Sequence, residues 1–237
     1  MSLRCVRTLL TGLVLVTALR SIAAASIEVA PVSHDLAPGQ TAISMTVSNR
    51  SAVETTLQVR GFAWTQEDGV ERLAATDELL VAPAIFSVAA GRSQVLRVRV
   101  PPAPAGHEMS YRLLIDELPA ASVGGEVRMA LRLSVPVFAH GATPGAARLT
   151  ARLDADHRGV TLINRGATRT RVHSLTVIVP GGERHAAVPD GGPYLLAGAQ
   201  RAWSLPAAAR RSPMAGAPSL LALTDTGYVE VPLDAAP

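Results

Sequence analysis

Residues 126–138, EVRMALRLSVPVF, place Val127, Met129, Leu131, Leu133, Val135 and Val137 on one face of an extended strand and Arg128, Arg132 and Ser134 on the other. Successive side chains of a strand point to opposite faces, so alternation sustained over this length dictates a strand with one apolar row. The chemistry open to such a row is binding. Two receptors suit it. One is the chain's own core, the ordinary fate of an alternating strand. The other is an open sheet edge of another protein, where main-chain hydrogen bonds hold the strand and alternate side chains fill apolar pockets. Val127, Met129, Leu131 and Leu133 would each gain ~1.5–3 kcal/mol on full burial, a gross ~6–12 kcal/mol before ordering costs.

Residues suited to covalent or metal chemistry are sparse. The single cysteine, Cys5, lies near the N-terminus, and the six histidines (His34, His107, His140, His157, His173, His185) show no metal-ligand spacing. No G-x-S-x-G elbow, phosphate loop or H-E-x-x-H is present. The expectation is a protein that is not an enzyme, with no cofactor, no metal and no small-molecule substrate. Trp64 and Trp203 are read as packing residues rather than sugar platforms.

The N-terminus begins with Arg4 and Arg7, continues with an apolar run from Leu9 to Leu19 and ends in Ala23, Ala24 and Ala25. That order marks a secretory signal peptide over 1–25. The run is too short for the ~20 residues of a spanning helix. The signal holds three of the 22 basic residues and none of the 19 acidic ones, so the mature chain carries 19 of each. A neutral mature chain gives no footprint for nucleic acid or an anionic membrane. It also lacks cysteine, so its stability must come from a packed core rather than from disulfides.

The elements that must position the apolar row are themselves short strands. They are expected at 27–32, 41–49, 55–64, 79–81, 93–100, 109–117 and 126–138, with turns at Pro38-Gly39, Asp68-Gly69, Ala90-Gly91 and Gly124-Gly125. A linker, HGATP, occupies 140–144. A sparser set of strands follows at 148–153, 160–164, 172–179, 202–205, 220–223 and 228–232. The pattern indicates an all-β protein of two immunoglobulin-like sandwiches, over 26–139 and 145–237.

In that frame the chain resembles the periplasmic pilus-assembly chaperones of the chaperone–usher pathway. The segments that carry the resemblance occur in family order: IEVAPVSHDLAPGQ, TVSN, QVRGFAWTQEDG, LLVAPAIFSVAAGRSQVLRVRV, YRLLIDELP and LRLSVPVF, with LINRGATRTRV and YLLAGAQRAW in the second half. The resemblance implies two immunoglobulin-like domains in an L shape and no enzymatic activity. It implies a periplasmic role in fimbrium biogenesis, in which the seventh strand completes pilin subunits that lack their last strand until an outer-membrane usher receives them. An unpaired edge over an open apolar groove is an aggregation hazard, which gives such donor-strand complementation its purpose. The subunit-binding residues implied are Val127, Met129, Leu131 and Leu133, with Ile27 and Val29 of the first strand expected at the same sheet edge.

One departure concerns the subunit's terminal carboxylate. The better-known branch holds it with a basic residue on the first strand and another on the seventh. Those positions fall near Ser33 and Ser134, and neither is basic. The SVPVF ending is instead similar to the archaic branch. Arg97 is the leading substitute anchor, with Arg132 and Arg128 next; Arg97 as a scaffold residue, bonding carbonyls or Glu117, is the alternative. The competing class is an exported structural or adhesin module of a surface fibre. A pilin of that kind would be one domain lacking its last strand, whereas this chain has seven expected strands in its first half alone.

Overall fold

Short alternating segments become strands because each can bury one face while its main chain stays bonded to its neighbours. A computed structural model describes residues 27–118, 130–143, 145–154, 156, 158–211 and 218–233. The expected leader, and Val127, Arg128 and Met129 of the seventh strand, lie outside the described residues.

Among its described residues the first half holds ten strands: β1 (Ile27–Ala30), β2 (His34–Leu36), β3 (Ala42–Asn49), β4 (Thr55–Glu67), β5 (Val70–Ala75), β6 (Leu80–Ala82), β7 (Ile85–Val88), β8 (Ser93–Arg99), β9 (Glu108–Leu118) and β10 (Arg132–His140). One sheet has the order β1-β3-β8-β6, and the facing sheet has the order β2-β10-β9-β4-β5, with β7 also on β4. Between them lies a core that includes Met45, Val47, Leu57, Leu96, Val98, Leu113, Ile115, Val135 and Val137. The expected first strand is two strands. β1 sits at the edge of one sheet and β2 at the edge of the other, so the chain changes sheet within Pro31, Val32 and Ser33. β4 continues past Trp64 to Glu67 and turns at Asp68 and Gly69, both at positive φ, into β5. Asp-Gly is the pair that such a tight hairpin turn favours. Alternation gave no sign of β5 because all six of its residues are exposed.

The second half comprises β11 (Leu149–Leu153), β12 (Gly159–Asn164), β13 (Thr170–Ile178), β14 (Arg184–Pro189), β15 (Tyr194–Leu195), β16 (Gln200–Ser204), the one-turn α1 (Ala207–Arg211), β17 (Ser219–Thr224) and β18 (Gly227–Val231). β14 serves two layers. Its first residues pair with β13, and Val188 and Pro189 pair with Ser204 and Trp203 of β16. A strand that switches sheets makes the corner of a sandwich, and a parallel bridge from Ala151 to Leu233 draws the other side together. The all-β, two-sandwich expectation therefore holds.

Both sandwiches contain the same small device. Asn49 ends β3 fully buried, and its amide nitrogen donates to the carbonyls of Val53 and Val88 at 2.7 and 2.8 Å. Asn164 ends β12 fully buried and donates to Thr168 and Leu196 at 2.8 and 3.1 Å. In each case a strand end and the following loop are fixed by one side chain whose polar atoms are satisfied in the interior. The Asn-Arg-Ser triplet at 49–51 is thus a strand end.

Candidate functional site

β10 is central because its two ends have different surroundings. Val135 and Val137 are buried in the first core, while Leu131 and Leu133 are partly buried and pack against its end. The apolar row is therefore divided: its C-terminal half belongs to the chain's own core, and its N-terminal half reaches the boundary with solvent. The opposite face is also covered from Pro136 onward, where Phe138 is fully buried.

The hydrogen-bonding pattern defines which edge is open. Glu117 N–H donates to the Leu131 carbonyl at 2.9 Å, and the register with β9 runs without a shift from Arg132↔Asp116 to His140↔Glu108. In an antiparallel ladder alternate residues bond the neighbour, and the residues between turn their main chain the other way. Leu131, Leu133, Val135, Val137 and Ala139 therefore face β9, whereas Arg132, Ser134, Pro136 and Phe138 face the far edge. β2 covers that edge in parallel only at Val137, Phe138 and Ala139. Among the described residues no strand pairs with the far edge at 132–135.

The other wall of this opening is β1. Because Pro31, Val32 and Ser33 carry the chain directly from the β1 edge to the β2 edge, the two edges lie on one side of the sandwich. Ile27 is buried in the core and Val29 packs partly buried against it. They lie in the sheet opposite β10, not at its edge as expected from the sequence, and they share the first core cluster with Leu131 and Leu133.

Ionic contacts hold β10 from its outer side. Asp116 accepts from Arg60 Nη2 at 2.7 Å and from Arg132 Nε. Burial would push the Asp116 carboxyl up, but hydrogen bonds and charge from Arg132 and Arg60 outweigh it and hold the group below the usual carboxylate range. Further along, Arg169 of the second sandwich donates to Glu108 at 2.6 Å and to Asp35. Its guanidinium also lies 3.4 Å from the centre of the Phe138 ring. The Glu108 side chain has no exposure. Desolvation pushes its carboxyl above the ordinary value despite the opposing charge of Arg169.

An aromatic cluster extends this junction between the sandwiches. Trp64, Phe138 and Tyr194 pack with ring centroids 5.4 to 5.8 Å apart. Arg112 stacks on Trp64 at 3.7 Å. Gln66 donates to the Tyr194 carbonyl at 2.9 Å and accepts from Leu196 N–H at 3.0 Å. Trp64 and Phe138 pack in the core cluster of the second sandwich. The C-terminal half of β10 is thus anchored between two sandwiches, while its N-terminal half forms an edge.

The structure brings Leu131, Leu133, Ile27, Val29 and Arg132 to one side of the first sandwich. It does not bring Arg97 there. Leu96 and Val98 face the core from β8, so Arg97 between them turns outward from the opposite sheet, and it is exposed. Its register neighbours are Ser44 and Ala82. Sequence reasoning missed Arg60, Asp116 and Arg169, because only strand pairing and sandwich docking bring them to β10. Among the described residues no group of His, Cys, Asp or Glu is arranged to hold a metal ion, and no helix is long and apolar enough to cross a membrane.

Two sandwiches meet at this aromatic cluster, and the edge of β10 at 132–135 is unpaired among the described residues. Residues 26–144 match the pili and flagellar-assembly chaperone family in its PapD N-terminal domain, and the chain belongs to that family. Among solved structures it is similar to the chaperone–tip adhesion subunit pre-assembly complex, CsuC–CsuE, of the archaic chaperone–usher Csu pili of Acinetobacter baumannii. That match has a TM-score of 0.66 at 18% identity and covers 89% of this chain and 100% of the other. The E. coli chaperone DraB matches with a TM-score of 0.61 at 17% identity, over 88% of this chain and 97% of its own. The Salmonella enterica SafA pilin–SafB chaperone complex matches with a TM-score of 0.60 at 16% identity, over 87% and 96%. No curated protein sequence matches the chain.

Proposed function

We propose that this chain is a periplasmic chaperone that captures fimbrial subunits by lending them the N-terminal half of β10 and then passes them to an outer-membrane usher. The observation that carries this reading is the open edge at 132–135, flanked by the half-buried Leu131 and Leu133 at the mouth of the core. An incoming strand would bond that edge and continue the apolar row. Val127 and Met129 extend the row in sequence and are assigned the same role. The protein acts by binding alone, without a cofactor.

The test is co-expression of the full chain with fimbrial subunits of the same genome, followed by isolation from the periplasmic fraction. The expected result is a one-to-one complex whose chaperone begins at Ser26, the mass left after removal of the leader. A chain that reaches the periplasm and binds no subunit would contradict the reading.

Within the same proposal, Arg132 is the favoured receptor for the subunit's terminal carboxylate. It sits on β10, with its side chain largely exposed beside Asp116, whereas Arg97 lies on the opposite sheet; Arg128 lies outside the described residues. Arg132→Met is expected to reduce subunit yield at least fivefold and Arg97→Met to leave it unchanged, with thermal midpoints measured for both. Equal loss in the two variants would reject the assignment.

A further inference from the structure

We propose that Pro136 sets the register of the docked strand by ending the edge that β10 offers. The inference rests on the strand-lending reading and concerns where the lent edge stops. Arg132 and Ser134 each turn one N–H and one C=O to the open edge. The next residue of that set is Pro136, which has no N–H to give. Pairing with the chain's own β2 begins one residue later, at Val137↔His34. Pro136 is therefore the point at which the edge passes from open to self-paired.

The position explains why a proline is accommodated inside a ladder that runs nine residues along β9. A proline is tolerated in a sheet where its missing N–H faces an edge, and the parity of the β9 pairing turns Pro136 that way. Its side chain is buried on the outer face, in the row that Arg112 and Phe62 occupy on β9 and β4. For an incoming strand the consequence is directional. A slip of one residue would turn its apolar row to the wrong face. A slip of two residues toward β2 meets a position without a donor and then an occupied edge. The segment before Pro136 is held in place from its outer side, since Asp116 bonds Arg132 and Arg60 together.

Cysteine cross-linking reads the register directly. Ser134→Cys is introduced into the otherwise cysteine-free mature chain and co-expressed with a fimbrial subunit carrying single cysteines along its terminal strand, and disulfide yield is measured after mild oxidation. With proline at 136, one subunit position is expected to dominate at least fivefold over the position two residues away. Pro136→Val, and Pro136→Ala as a second variant, restore the missing N–H. Each is expected to bring the two yields within twofold, with thermal midpoints confirming that the variants are folded. An unchanged fivefold preference in a folded variant would overturn the role of Pro136. A stable complex in which the Ser134→Cys chaperone cross-links to no position on the subunit strand would instead overturn strand lending itself.

Discussion

Leu131→Asp is expected to abolish subunit capture while leaving the chaperone folded. In the free chain Leu131 is only partly buried, so a carboxylate there can stay in water, and the change in stability should remain within about 1 kcal/mol. In the complex the same side chain would be sealed between two sandwiches. Burying an unpaired carboxylate costs several kcal/mol, and ~1.5–3 kcal/mol of leucine burial is lost as well. The sum exceeds the ~4 kcal/mol that separates micromolar from nanomolar binding. Periplasmic co-purification gives the readout. Leu73→Asp is the control, because Leu73 is 42% exposed on the β5 edge, away from β10, and should bind at wild-type yield. Normal capture by a folded Leu131→Asp protein would rule out this edge.

Arg169→Met is expected to produce the largest loss of stability. It leaves the fully buried Glu108 carboxylate without its guanidinium and removes the cation from the Phe138 ring. Breaking a buried pair by removing one partner typically costs ~3–5 kcal/mol. At roughly 2–4 °C per kcal/mol for a chain of this size, the thermal midpoint at pH 7 should fall by about 6–20 °C. The pH dependence gives a second check. Glu108 is already pushed above its ordinary value by burial, and loss of Arg169 pushes it further. A carboxyl with a raised folded pKa contributes stability that is fully present below the unfolded value, about 4.3, and is lost as pH rises through the folded value. The deficit of Arg169→Met should therefore shrink from pH 7 toward pH 4.5. A deficit that grows on acidification would mean that Glu108 is not the group responsible.

The parts of this architecture that are legible from sequence are those with a period. β3 and β8 alternate because one face meets a core, and Asp68-Gly69 marks its hairpin through backbone chemistry alone. β5 has no buried face and β2 has three residues, so neither carries a period to detect. The apolar row 127–137 was visible, but its division was not: which part is self-buried and which is an edge depends on where β2 pairs. The same holds for charge. Asp116 and Arg132 are 16 residues apart in sequence and become neighbours through the β9–β10 register. Arg169 is 61 residues from Glu108 and meets it only when the sandwiches dock. Arg97 stood out in a family-like segment, yet period two in β8 turns it outward on the opposite sheet.

On the proposed function, the edge of β10 at Arg132 and Ser134 is open in the free chaperone and filled by a subunit strand in the complex. Amide hydrogen exchange on the isolated chaperone and on its purified complex with a co-expressed fimbrial subunit measures this at the two residues concerned. Both amides are expected to exchange fast in the free chain and at least tenfold more slowly in the complex, while the amides of Leu133 and Val135, already bonded to β9, change little. Unchanged exchange at Arg132 and Ser134 in a stable complex would contradict it.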